Sequence, residues 1–190
     1  MIPAAIFGAA SGSHFNPVFT IAFACDGTFP WELVPGYIVA QMLGGFVGQV
    51  LVWVLWKQHF DATKEPTPKR CCFCTAASIK CWPLNFLSEV VATFTLVFAI
   101  KGIGQVVALA GGLKWWFVFG IITAMGMGFG GLTGYALNPA RDLGPRIAHA
   151  ILPMKTKKEP NDWKYGLTVP VLGPLVGALL GVLLYAVIPW

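Results

Sequence analysis

The chain has 190 residues, of which 56% are hydrophobic and 11% charged, and its mean hydropathy is +0.69. Soluble domains carry about a quarter charged residues. This chain lacks the polar side chains to cover a water-facing surface, which excludes an ordinary soluble enzyme, a disordered tail and a disulfide-rich secreted module. Its formal net charge of +5 does not read as a nucleic-acid interface, because the 13 Lys and Arg fall outside the long apolar stretches, mostly in connectors, and build no basic face.

In chain order, Met1–Cys25 carries no Asp, Glu, Lys or Arg but is broken by Ser11-Gly12-Ser13-His14-Phe15-Asn16-Pro17. It lacks the positively charged start of a signal peptide. It reads as the tail of one helix, a bend, and a short helix opening at Pro17. A bilayer core of about 30 Å needs roughly 20 apolar residues to be crossed as a helix. Leu33–Trp56, Trp115–Leu137 and Tyr165–Trp190 meet that requirement without a charge, and Trp82–Ile100 does so with Glu89 as its one interruption. Trp and Tyr gather at the ends of these four spans, where amphipathic rings favour the interface. The connectors are Lys57–Cys81, Lys101–Lys114 and Pro153–Lys164. The first and third are polar and Pro-containing, as exposed loops are.

Small residues recur at helical spacing. Gly173, Gly177 and Gly181 share one face of the last span, as Gly44 and Gly48 do earlier. Such faces let helices approach closely in lipid, where packing drives association. They predict a tight bundle and carry no information about a solute.

Two segments echo each other: Gly12-Ser13-His14-Phe15-Asn16-Pro17-Val18 and Gly134-Tyr135-Ala136-Leu137-Asn138-Pro139-Ala140. Asn is a favoured N-cap and Pro belongs at the first helical position. Each echo therefore predicts a helix that starts inside the apolar part of the chain. Broken helices at membrane depth are tolerated where they line a cavity or are buried in protein. A pair at corresponding positions of two halves points to a site near the midplane between inverted repeats.

On these residues the chain resembles the major intrinsic protein family of aquaporins and glycerol facilitators. The stretch Gly130–Arg146, with Asp142 after Arg141, is similar to the polyol-conducting branch. The likeness runs from about Ser11 to Pro189. It implies an all-α membrane protein, an aquaporin-like helical bundle with two Asn-Pro half-helices. It also implies one channel domain over 1–190, with 1–56 the remainder of a first repeat, 57–81 an inter-repeat loop and 82–190 the second repeat. The resemblance makes Asn16 and Asn138 caps of half-helices that meet at mid-membrane and donate to passing hydroxyls, beside Pro17, Val18, Pro139 and Ala140. It makes Gly126, Tyr135 and Arg141 the selectivity filter. The positive ends of both half-helices would repel cations.

A carboxylate inside a span is costly and is partnered or functional. For Glu89 the resemblance implies a structural task, holding backbone N–H groups of the second Asn-Pro loop. Proton coupling is the alternative, although no second acidic residue lies in a span to relay a proton. Gln41 reads as an interhelical or loop-holding hydrogen bonder, and His14 as pore-adjacent.

Three features depart from the family pattern. Val18 stands where Ala is usual. The family has six spans, and this chain presents four plus a stub at Met1–Ala10, so the first span and most of the second are expected to be missing, together with a filter aromatic. Finally, the nine basic residues Lys57, Lys64, Lys69, Arg70, Lys80, Lys155, Lys157, Lys158 and Lys164 face Lys101 and Lys114 across the membrane. The positive-inside rule assigns the nine to the cytoplasm, and the family pattern assigns them outside.

Cys71, Cys72, Cys74 and Cys81 cluster without the paired spacing of a zinc site, and Cys25 lies elsewhere, so no metal is expected. No acid–base pair, activated nucleophile or phosphate loop appears, so no enzyme and no cofactor are expected. The resemblance implies a passive channel in the cell membrane for glycerol, other small uncharged solutes such as urea or polyols, and some water. It also implies a homotetramer in the lipid bilayer, with no nucleic-acid partner. The alternatives are a non-conducting fragment or assembly partner, and an inverted-repeat secondary transporter.

Overall fold

The computed structural model describes residues 2–109, 112–155 and 159–190. Among the expectations above, those on Met1, Lys157 and Lys158 lie outside the described residues. In chain order the helices are α1 (Ile2–Ser11), α2 (Pro17–Cys25), α3 (Val34–Leu55), α4 (Lys57–Ala62), α5 (Pro66–Cys71), α6 (Trp82–Gly104), α7 (Leu113–Thr133), α8 (Pro139–Ile151) and α9 (Trp163–Val187). Among the described residues, four helical stretches are long and apolar enough to cross a membrane: Trp31–Leu55, Trp82–Gly104, Leu113–Thr133 and Trp163–Val187.

The two Asn-Pro steps start helices for the reason the sequence gives. Asn16 is extended (φ −152°, ψ 119°) and its Oδ1 accepts the Val18 amide at 3.1 Å, with Pro17 at the first helical position. Asn138 repeats this with φ −154° and ψ 110°, accepting Ala140 N at 2.9 Å and Arg141 N at 3.3 Å. Both helices are short, and both start within the bundle.

The helices that frame them pack through small residues. The longest contact runs between α6 and α9. A Cβ on Gly173 would lie 2.9 Å from Glu89 Cβ, one on Gly181 would lie 3.1 Å from Phe94 O, and one on Gly177 would run into the α6 backbone at Val90 and Phe94. The matching pair on α3 behaves differently. Gly44 and Gly48 face open space, while Gly45 is pressed against the Ala140 carbonyl of α8. Packing at the sequence-predicted spacing is therefore realised on α9 and not at Gly44 and Gly48 of α3.

The apolar surface goes outward as well as inward. Val39, Leu43, Val47, Leu51 and Leu55 form a stripe along α3 and are each half or more exposed. In water such a stripe is a liability, but in hydrocarbon it is at no disadvantage. A buried core of Val18, Phe19, Ala22, Ala92, Leu96, Val97, Leu137, Ala178 and Val182 joins α2, α6, α9 and the loop before α8.

Two connectors differ from the sequence reading. The loop over 57–81 contains α4 and α5. Lys101, read as the start of a connector, lies on α6, which continues to Gly104. The helix tolerates that ammonium because it pairs with Asp26 at the end of α2 and sits over the Tyr185 ring at 4.7 Å. Gly177→Leu is expected to destabilise the bundle by about 1–3 kcal/mol through overpacking, read as a lower thermal midpoint in detergent. Gly48→Leu is expected to stay within about 0.5 kcal/mol of wild type, as surface changes do. Equal losses would show that the α3 face is packed as tightly as that of α9.

Candidate functional site

The segments before the two Asn-Pro steps share one backbone conformation. Positive φ occurs at Gly12 (65°), Ser13 (54°) and Phe15 (46°), and at Gly134 (83°), Tyr135 (60°) and Leu137 (50°). The pattern is the same at the same offsets from Asn. Four of these six residues carry side chains, for which the left-handed region is uncommon and costs energy. Such conformations persist where surrounding contacts over-determine them.

Those contacts are reciprocal. Asn16 Nδ2 donates to Leu137 O at 2.8 Å, and Asn138 Nδ2 donates to Phe15 O at 2.8 Å. Each asparagine thus caps its own helix with its oxygen and ties down the opposite loop with one amide hydrogen. The second hydrogen of each NH₂ is left for another acceptor. The N-terminal ends of α2 and α8 meet at this junction, so the partial positive charges of both helix dipoles converge there.

The second loop is held from behind by Glu89 of α6, which is 1% exposed. Its Oε1 accepts the Thr133 hydroxyl at 2.5 Å and the Ala136 amide at 3.3 Å, and its Oε2 accepts the Leu137 amide at 2.8 Å. With the Ala136 and Leu137 amides turned toward Glu89, the Leu137 carbonyl is left to accept from Asn16. The first loop is anchored by neutral groups instead. Ser13 Oγ donates to Ala4 O at 2.9 Å, and Gln41 Nε2 reaches Thr20 Oγ1 at 2.9 Å. Thr20 Oγ1 also lies 3.2 Å from His14 Nδ1. The His14 ring is edge-on to Phe23 and Phe29.

A cavity of about 650 Å³ passes this junction, and a second hollow of about 610 Å³ lies on the α3 side of it. His14, Phe15, Asn138 and Arg141 border both. Asn16 and Tyr135 line the first alone, against an apolar wall that includes Phe19, Leu96 and Ile100. Gln41 and Ala140 line the second. No carboxylate borders either one among the described residues.

Not every residue singled out from the sequence reaches these walls. Gly126 sits behind Tyr135: a Cβ there would lie 3.8 Å from the ring, whose hydroxyl donates to Ile122 O at 2.8 Å. Gly126 therefore backs the ring at ordinary contact distance and is not among the residues that border the cavity. Val18 is 1% exposed and packs in the core, so its extra methyls leave the cavity unaltered. Pro17 and Pro139 are buried at their helix starts. Asp142 is fully buried, with Oδ1 accepting Arg146 Nε at 2.8 Å and Oδ2 accepting the Thr75 amide at 2.7 Å.

The sequence reading missed three contributors. Thr133 and Thr75 gave no signal, being ordinary threonines. Arg146 did give one, since it stands four residues after Asp142, the spacing of a helical ion pair. Gly166 is needed beside it, because a Cβ there would strike the guanidinium. Cys71 and Cys72 are exposed, while burial pushes the Cys74 thiol up to about 11. No group of three or more metal-ligating side chains occurs among the described residues.

Comparison with known proteins places this geometry. The model of the family described as "Major intrinsic protein" matches residues 1–185. A probable glycerol uptake facilitator protein of Thermotoga maritima is 44% identical over 180 residues, covering 95% of this chain and 76% of its own length. A glycerol uptake facilitator protein of Bacillus subtilis is 47% identical over 178 residues, covering 94% of this chain and 64% of its own. Among solved structures, the aquaglyceroporin from Plasmodium falciparum superposes with a TM-score of 0.81 at 30% identity, covering 95% of this chain and 74% of that one. Two capped half-helices joined Asn to carbonyl, a buried carboxylate behind one loop, and a match along nearly the whole length lead to one conclusion: the chain belongs to the major intrinsic protein family, a family of membrane channels and not of enzymes.

Proposed function

We propose that the chain is a passive channel for glycerol and other small uncharged solutes, conducting some water, as a multi-pass protein of the cell membrane. The observation that carries this reading is the junction itself. Two asparagines, each with one amide hydrogen unspent, border a cavity whose wall is largely apolar, and the loops beside them carry backbone acceptors such as Phe15 O and Leu137 O. An amphipathic molecule with hydroxyls on one side and CH groups on the other matches that lining, and glycerol is such a molecule. The similarity to glycerol uptake facilitators and to an aquaglyceroporin supports it.

In this reading Asn16 and Asn138 donate to the passing hydroxyls. Tyr135 supplies the apolar wall, with Gly126 behind it fixing how far the ring intrudes. Arg141 is the fixed donor and positive charge of the filter. Glu89 holds the second loop, Gln41 and His14 steady the first, and Asp142 orients the first turn of α8. The chain acts as one channel domain, with 1–56 and 82–190 contributing to the two repeats and 57–81 joining them, and it assembles as a homotetramer. The rival readings, an ion-coupled transporter and a non-conducting assembly partner, differ from this one in flux.

Stopped-flow light scattering on proteoliposomes tests the reading. Fast glycerol flux that neither saturates nor depends on an ion or pH gradient is expected. Flux at the level of empty vesicles from inserted, folded protein would sink the channel reading. In a conducting preparation Gly126→Trp is expected to displace the Tyr135 ring and reduce glycerol permeability more than water permeability. Equal effects on both solutes would remove Gly126 from the filter. Glu89→Gln replaces an acceptor of three donors with a group that turns an NH₂ toward one of them, which costs about 1–3 kcal/mol. Glycerol flux per inserted protein is expected to fall severalfold, whereas unaltered flux would show that the second loop holds its shape without the carboxylate.

A further inference from the structure

The middle of the 57–81 loop is wedged between the two elements that carry Tyr135 and Arg141. On one side it grips α8. The Thr75 amide and hydroxyl both donate to Asp142 Oδ2, at 2.7 and 2.6 Å, one residue beyond Arg141. Arg146 answers from the next turn, with Nε on Asp142 Oδ1 at 2.8 Å and Nη2 on Thr75 O at 2.8 Å. Thr75, Asp142 and Arg146 are all buried. On the other side the loop grips the end of α7. The Ser78 amide donates to Leu132 O at 3.1 Å and its hydroxyl to Gly131 O at 2.6 Å. Gly134 follows in the left-handed conformation, and a Cβ there would lie 3.1 Å from Thr75 Cβ. The chain then leads directly into Tyr135.

Among the described residues α7 and α8 scarcely touch each other. Their direct link is the short loop with three positive φ values. We propose that Thr75–Ser78 is a strut that sets the separation between the Tyr135 wall and Arg141, which makes Thr75 and Ser78 positioning residues for solute size selectivity. This rests on the channel reading above. The polar ties on each side are directional, so they fix both the spacing of the two elements and the rotation of α8 about its axis. A side chain one position from Asp142 is aimed by that rotation. Thr75→Val exchanges the hydroxyl for a methyl, leaving Asp142 paired with the amide of residue 75 and Arg146. The fold is kept while the strut is loosened.

The test compares permeabilities for water, glycerol and the four-carbon polyol erythritol in proteoliposomes, each divided by inserted protein. Thr75→Val and Ser78→Ala are each expected to raise erythritol relative to glycerol by about threefold, the worth of one net hydrogen bond. Thr75→Ser, which restores the hydroxyl, is expected to return the ratio to wild type. A merely structural role would lower all three permeabilities together with the thermal midpoint. Ratios unchanged in both variants, in a wild type that conducts glycerol, overturn the strut. A wild type without glycerol flux overturns the channel reading and the strut with it.

Discussion

Hydrogen bonding of backbone that leaves the helix at membrane depth is the constraint on which the rest of this structure depends. Lipid supplies no partners there, so each exposed amide or carbonyl of the two Asn-Pro loops must be met from within the protein or from a cavity. The asparagines solve two parts of the problem at once. Their oxygens cap the amides at the start of α2 and α8, and their NH₂ groups cross to Leu137 O and Phe15 O of the opposite loop. The carbonyls that remain have a use only if something polar passes them. The strained φ values at Ser13, Phe15, Tyr135 and Leu137 are held by these exchanges at the Asn end of each loop, and behind it by Ser13 Oγ on Ala4 O in the first and by Glu89 on the Ala136 and Leu137 amides in the second.

The two halves share this backbone and differ in how it is braced. Glu89 gathers three donors behind the second loop, whereas Ser13, Thr20, Gln41 and His14 brace the first with neutral bonds. The difference follows the helix packing. Gly173 on α9 lets α6 come close enough to bring the Glu89 side chain under its loop. On α3 the residues at the same spacing, Gly44 and Gly48, have open space before them.

Much of this was legible in the residues. Hydropathy placed the four spans to within a few positions, because length and the lack of charge are strong constraints in a bilayer. The paired Asn-Pro steps identified the half-helices, because capping chemistry is local and both caps are visible in the sequence. What escaped was non-local. Lys101 ends a span by charge alone, and Asp26, 75 residues away, together with the Tyr185 ring lets α6 run past it. Gly126 reads in the sequence as widening the filter, and only the position of the Tyr135 ring shows that it lies behind that ring. Thr75 and Ser78 have no local signature because their partners are α8 and α7.

Charge economy links the site to its proposed task. Every acidic group near the junction is spent before it can meet a solute: Glu89 on loop amides, and Asp142 on Arg146 and Thr75. The exposed Arg141 borders both cavities and meets no carboxylate on their walls among the described residues. A cation entering the cavity would trade its hydration shell for like charge, which is a barrier in a low-dielectric wall. A neutral hydroxylic molecule would trade water for asparagine donors and loop carbonyls at little net cost, since the exchange conserves hydrogen bonds. The same placement of carboxylates that lets the loops fold thus also keeps them off the cavity walls among the described residues, so support of the backbone and the surface a solute would meet come from one arrangement of residues.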